Sequence, residues 1–113
     1  MGIKFIDAEK SMYRAKIVEV KKKRNLYGEY IQILFTVTEG DLKNCRFTGY
    51  CNFMPVKESR FYRWVKNILN EEPEHAFDIE DLNGKECVIS LNKRNEWYVV
   101  KEIYSIDDWD WMK

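Results

Sequence analysis

Apolar and polar residues alternate along most of this chain, which is the pattern of β-strands with one buried face. The segments with this pattern are residues 13–20, 29–39, 45–53, 85–92 and 96–105. In the second of them, every other residue from Ile31 to Val37 is apolar, and the intervening positions are more polar. Five short strands are therefore predicted.

One helix is predicted between the third and fourth strands. Ser59 is a suitable N-cap, and the helix is expected to run to about Asn70. Its apolar residues recur at helical spacing, at Phe61, Trp64, Val65, Ile68 and Leu69. The order of three strands, a helix and two strands is that of the OB-fold, a mainly β, five-stranded Greek-key barrel. We assign residues 1–106 to this domain and residues 107–113 to a C-terminal tail.

The composition supports one small domain that works without a cofactor. The chain has 113 residues and three cysteines without paired spacing, so neither a disulfide framework nor a metal site is expected. No apolar run approaches the length of a membrane span, and no membrane association is expected. The first ten residues lack the apolar stretch of a secretory signal. A cytoplasmic location is therefore predicted.

The net charge is zero, but the charges are unevenly distributed. Residues 11–70 contain 12 basic and 5 acidic residues, whereas residues 71–113 contain 5 basic and 12 acidic residues. Such asymmetry is typical of polyanion binding combined with an acidic appendage.

The clearest candidate site is the predicted loop between the first and second strands. It contains the consecutive cations Lys21, Lys22, Lys23 and Arg24, followed by Tyr27. Cations that neutralise phosphates release condensed counterions, which drives binding independently of sequence. A tyrosine beside them can stack on a base. Because OB-folds use this loop for ligands, the run predicts a nucleic-acid site.

Other segments also combine cations with aromatic rings. The candidates are Lys93, Arg94 and Trp97 near the last hairpin loop, Tyr30 in the second strand, and Arg46 and Tyr50 in the third. Stacking of bases on aromatic rings tolerates any base sequence. The pattern therefore favours a basic, aromatic groove for single-stranded nucleic acid.

Two stretches carry a family resemblance. They are Tyr13-x-Ala15-x-Ile17-x-x-Val20 and Gly28-x-Tyr30-x-x-x-x-Phe35-Thr36-Val37-Thr38-x-Gly40. Together with the helix that contains Trp64, they make residues 12–106 resemble phage-type and related prokaryotic single-stranded DNA-binding proteins. The resemblance implies an OB-fold, binding of single-stranded DNA in replication, recombination or repair, and no enzymatic activity. For a phage-encoded chain, the location would be the host cytoplasm. Asn44-Cys45 stands where the family has a glycine.

The tail is similar to the acidic C-terminal tip with which bacterial single-stranded DNA-binding proteins recruit enzymes. Its candidate partner-binding residues are Asp107, Asp108, Trp109, Asp110 and Trp111. The resemblance implies replication or repair proteins as partners, although Met112-Lys113 departs from the usual Pro-aromatic end. Two alternatives stay open, a tail that folds back on its own cationic groove and a terminal turn packed on the barrel.

The expected function is therefore non-catalytic, largely sequence-independent binding of single-stranded DNA. The sequence has no glycine-rich phosphate loop, nucleophile elbow or metal-spaced carboxylate cluster, so no catalysis is expected. Two alternatives remain open. One is an OB-fold RNA binder, since discrimination rests on contacts to the 2′-hydroxyl. The other is a protein-interaction module such as an inhibitor or adaptor.

Overall fold

The alternating segments form five strands in a computed structural model, which describes residues 2–3, 5–73 and 77–109. The strands are β1 (Met12–Asn25), β2 (Gly28–Val37), β3 (Arg46–Asn52), β4 (Glu86–Arg94) and β5 (Trp97–Tyr104), and the helix α1 is Arg60–Leu69. Short 3-10 turns span Ala8–Lys10, Ile79–Leu82 and Ile106–Asp108. The predicted fold class is confirmed: the protein is mainly β, with one α-helix between β3 and β4.

The strands are hydrogen-bonded in a ring in the order β1-β2-β3-β5-β4, and β4 pairs with β1 to close it. The neighbours are antiparallel except β3 and β5, which run parallel and pair only at Thr48↔Val99 and Gly49↔Val100. At Gly49 a Cβ atom would lie 3.1 Å from the Val100 Cβ and 3.2 Å from a Phe35 ring carbon. The glycine therefore allows β3 to approach the core closely.

Helix α1 packs its predicted apolar stripe against the ring. Phe61, Trp64, Val65 and Ile68 are buried. The Ser59 hydroxyl caps the helix by accepting a 3.0 Å hydrogen bond from the Tyr62 backbone N–H, as predicted. No helix in the described part of the chain is both long and apolar enough to cross a membrane.

Both hairpins that were predicted to bind nucleic acid differ from the prediction in one respect, because their basic residues lie in strands and not in loops. Residues 21–24 belong to β1, and the turn that follows consists only of Leu26 and Tyr27. This tight turn is possible because the Asn25 side chain accepts a 2.8 Å hydrogen bond from the Tyr27 N–H, and Gly28 adopts a φ of 122°.

The last hairpin is equally tight. Residues 93 and 94 complete β4, and the turn is formed by Asn95, with a φ of 59°, and Glu96. The turn before β3 also contains an asparagine with a positive φ, since Asn44 has a φ of 72°. Asparagine tolerates the left-handed region better than most residues, so it can replace the glycine of the resembling family here.

Candidate nucleic-acid interface

The β1–β2 hairpin ends in residues 21–29, which we call the basic arm. From the Arg24↔Glu29 pair onward the arm extends past the end of β3. Because side chains alternate across a strand, the four cations divide between its two faces. Lys21 and Lys23 share the outer face and pair with Gln32 and Tyr30 of β2. Lys22 and Arg24 lie on the opposite face, which continues the barrel interior. The prediction that these cations lie in the loop is therefore wrong, whereas their binding of nucleic acid stays a prediction.

Two of the arm's lysines make ion pairs within the sheet. The Lys21 ammonium lies 3.4 Å from a Glu19 carboxylate oxygen. The Lys22 ammonium lies 3.2 Å from a Glu29 carboxylate oxygen and 4.1 Å from the centre of the Phe53 ring. Solvent-exposed pairs of this kind contribute little to stability, about 0–1 kcal/mol each. Phosphates can therefore compete for these lysines at low energetic cost.

A cleft of about 670 Å³ opens where the end of β3 extends past its short pairing with β5. Its lining residues are Asn25, Tyr30, Tyr50, Cys51, Asn52, Met54, Ser59, Arg60 and Arg94. None of these described residues is acidic. A second cleft of about 340 Å³ shares Tyr50, Arg60 and Arg94 with the first, and its lining includes one acidic residue, Glu102. We call the two adjoining clefts the β3 groove.

Two tyrosine rings lie side by side in the groove. The centres of Tyr30 and Tyr50 are 6.3 Å apart and their planes are tilted by 49°. The pairing of β2 with β3 sets this arrangement, because Tyr30 is opposite Asn52 and Tyr50 is opposite Gln32. Tyr50 is 42% exposed, so part of its ring is accessible from solvent. Such rings provide stacking surfaces for unpaired bases.

Two arginines border the same groove. Arg60, the first residue of α1, donates a 2.5 Å hydrogen bond to the Lys101 carbonyl, and its guanidinium lies 4.5 Å from the centre of the Trp64 ring. These contacts hold the side chain in place while the guanidinium retains further N–H donors. Arg94 reaches the groove from the end of β4, where it pairs with Trp97.

Arg60 was not among the predicted site residues, because the helical pattern places it on the solvated face. Its exposed position on the helix is typical of a solvated face. The sequence feature that could have indicated Arg60 is its position directly after the N-cap Ser59. Ser59 also lines the groove.

The remaining predicted residues lie around the groove and not in it. Arg46 is at the opposite end of β3, about 13 Å along the strand from Tyr50 at about 3.3 Å per residue. Tyr27 occupies the tip of the basic arm, and Trp97 is 73% exposed on the β4–β5 hairpin. Lys93 pairs with Tyr98, and its backbone N–H donates to Glu9. Their roles in binding stay predictions.

All three cysteines are free thiols. Burial raises the pKa of Cys51 to about 11, although the charge of Arg60 partly opposes this rise. Burial and the nearby Glu86 carboxylate raise the pKa of Cys87 to about 12. Both thiols are thus protonated at neutral pH. In the described part of the chain, no cluster of three or more His, Cys, Asp or Glu side chains is arranged to hold a metal ion.

The start of the predicted tail is attached to the helix. The Asp107 carboxylate accepts a hydrogen bond from the Asn70 side-chain amide, and its backbone N–H donates to the Ser105 hydroxyl over 3.3 Å. Trp109 is half-buried. Asp110 and Trp111 lie outside the described residues. Recruitment of partner proteins by this segment stays a prediction.

Comparison with known proteins gives no family for this chain. No protein-family model matches it, and no curated protein matches it either. What is established is the class defined by its architecture, a ring of five β-strands with one helix and OB-like topology.

Proposed function

We propose that this protein binds single-stranded DNA in the β3 groove, largely without regard to sequence and without catalysis. The observation that carries the proposal is the pair of neighbouring tyrosine rings in the first cleft of the groove. Two arginines border this cleft, and none of its described lining residues is acidic. Bases would stack on Tyr30 and Tyr50, and phosphates would pair with Arg60 and Arg94.

The chemistry of these groups favours a single strand over a duplex. A ring can stack only on a base whose face is accessible, and the faces of bases inside a duplex are covered by their neighbours. Stacking and phosphate pairing also carry little information about base identity. Sequence-independent binding is therefore the expected behaviour.

The charges around the groove support the same ligand. The basic arm lies on one side of the groove through Asn25, and the β4–β5 hairpin contributes Arg94. An extended polyanion in the groove would meet cations along its length. The resemblance to phage-type single-stranded DNA-binding proteins suggests a role in replication, recombination or repair.

Fluorescence anisotropy with labelled oligo(dT), single-stranded RNA and duplex DNA of equal length tests the proposal. Oligo(dT) is expected to bind more tightly than duplex, and its affinity should fall with salt, with a log–log slope of about 0.7 per phosphate contact. The double variant Arg60→Gln/Arg94→Gln should weaken binding and make the slope shallower. Lys16→Gln/Lys85→Gln is the matched control, since it also removes two exposed cations. Lys16 pairs with Thr36, which pairs with Arg46 at the end of β3 away from the groove, and the Lys85 carbonyl accepts a hydrogen bond from the Ile17 N–H.

Other results of this binding experiment would indicate a different function. Tighter binding of RNA than of oligo(dT) would favour an RNA binder. A failure to bind any of the nucleic acids would contradict the proposal and favour the protein-interaction module. An equal effect of the double lysine variant and the double arginine variant would show that net charge, and not the groove, determines binding.

A further inference from the structure

The tip of the basic arm exposes two large apolar side chains. Leu26 is 98% exposed and Tyr27 is 97% exposed. The turn itself does not require either of them, because Asn25 supplies the side-chain hydrogen bond and Gly28 supplies the positive φ. Polar residues are the usual occupants of such a turn. Apolar side chains that the fold does not need are evidence for a contact with another molecule.

The charges behind the tip indicate the kind of molecule. Cations lie on both faces of the arm, Lys21 and Lys23 on one and Lys22 and Arg24 on the other. A partner that touches the tip therefore meets positive charge on both sides of the ribbon. Two phosphate backbones that diverge around the arm would match this distribution.

The position of the tip relative to the groove restricts the partner further. Asn25 lines the groove, and Leu26 is the next residue along the chain. A strand that leaves the groove at this end meets the arm and then its apolar tip. If that strand continues into a duplex, the first object beyond the groove is the terminal base pair, which presents a flat apolar face.

We infer that the protein recognises the junction between single-stranded and double-stranded DNA, with Leu26 and Tyr27 stacking on the terminal base pair. This inference rests on the proposed binding of single-stranded DNA in the β3 groove. Proteins that insert apolar side chains between base steps show that such side chains can contact the faces of base pairs. The cations of the basic arm would hold the two backbones as they separate.

The test compares three labelled DNAs by anisotropy: oligo(dT), the same oligo(dT) as the single-stranded tail of a duplex hairpin, and the blunt hairpin alone. The tailed hairpin is expected to bind at least about fivefold more tightly than oligo(dT), the lower end of the effect of one stacking contact. Leu26→Ala/Tyr27→Ala should remove this preference, so that the tailed hairpin binds no more tightly than oligo(dT) does, and should leave the Tm unchanged. Leu26→Met/Tyr27→Phe keeps an apolar tip and should retain the preference.

A fluorescent base analogue in the terminal pair adds a readout that does not depend on affinity. Its emission should change when the wild-type protein binds, and should stay constant with the double alanine variant. Equal affinity for oligo(dT) and the tailed hairpin would overturn the inference and leave the proposed function intact. A blunt hairpin that binds as tightly as the tailed hairpin would have the same consequence. No binding of oligo(dT) would overturn both. A junction preference that survives in the double alanine variant would show that the tip is not its source.

Discussion

Replacement of Tyr50 by alanine is the most direct test of the groove. This residue lines both adjoining clefts, and its ring centre is 6.3 Å from that of Tyr30. Loss of one aromatic ring from a stacking site costs about 1–3 kcal/mol of binding free energy per base. The affinity of Tyr50→Ala for oligo(dT) is therefore expected to fall by about 5- to 150-fold.

The effect of Tyr50→Ala on folding stability should be smaller than its effect on binding, and the two effects can be measured separately. The ring is already 42% exposed, so the substitution removes only part of a buried aromatic surface and one contact with Tyr30. We estimate a loss of about 1–2 kcal/mol of folding stability. For a domain of this size the Tm should fall by about 5–10 °C, and the variant should stay folded at 25 °C.

The assay is anisotropy at 25 °C and low salt, with thermal unfolding measured on the same preparations. Tyr50→Phe is the matched control, because it keeps the ring and removes only the hydroxyl. It should bind within about twofold of wild type, a difference of about 0.4 kcal/mol. Wild-type affinity in a folded Tyr50→Ala protein would refute the assignment of the groove. An equal loss in Tyr50→Phe would show that the hydroxyl, and not the stacked ring, makes the contact.

Three further predictions address the arm, the core and the cysteines. Alanine at positions 21–23 should make the log–log salt slope of oligo(dT) binding shallower by about two, and an unchanged slope would exclude the basic arm from the site. Gly49→Ala should lower the unfolding free energy in urea by about 1–3 kcal/mol, because its Cβ would crowd the core; an unchanged value would mean that the core relaxes freely. A thiol reagent at neutral pH should label the exposed Cys45 in the native protein, and label Cys51 and Cys87 only after unfolding. The unfolded thiols ionise near their usual pKa of 9.0 and the folded ones only near 11 and 12. Stability in urea should therefore fall as pH rises from about 9, by about 1.4 kcal/mol per pH unit for each thiol; a flat profile would contradict the assigned burial.

The five strands and the helix could be predicted from the sequence because their signals are local. Alternation of apolar and polar residues is a property of the strand itself, as in Ile31 to Val37. The helical spacing of the residues that surround Trp64 is equally local. These periodicities specify which face of each element is buried, whatever element covers it. The fold class follows from their order.

The composition of the site depended on tertiary structure. The basic residues 21–24 look like a loop in the sequence, because a run of charges carries no periodicity that shows where a strand ends. Pairing with β2 keeps them in the ladder and divides them between two faces.

The groove itself arises between elements that are distant in the sequence. Tyr30 and Tyr50 were predicted to line one groove, but only the register between β2 and β3 shows that their rings are neighbours. Arg60 joins them because the helix begins beside the end of β3, where that strand has separated from β5. Local patterns in the sequence determined the strands and the helix of this protein. The pairing of strands that are distant in the sequence determined which side chains share one surface. No single segment specifies that pairing, because each strand's register depends on its neighbours in the closed ring.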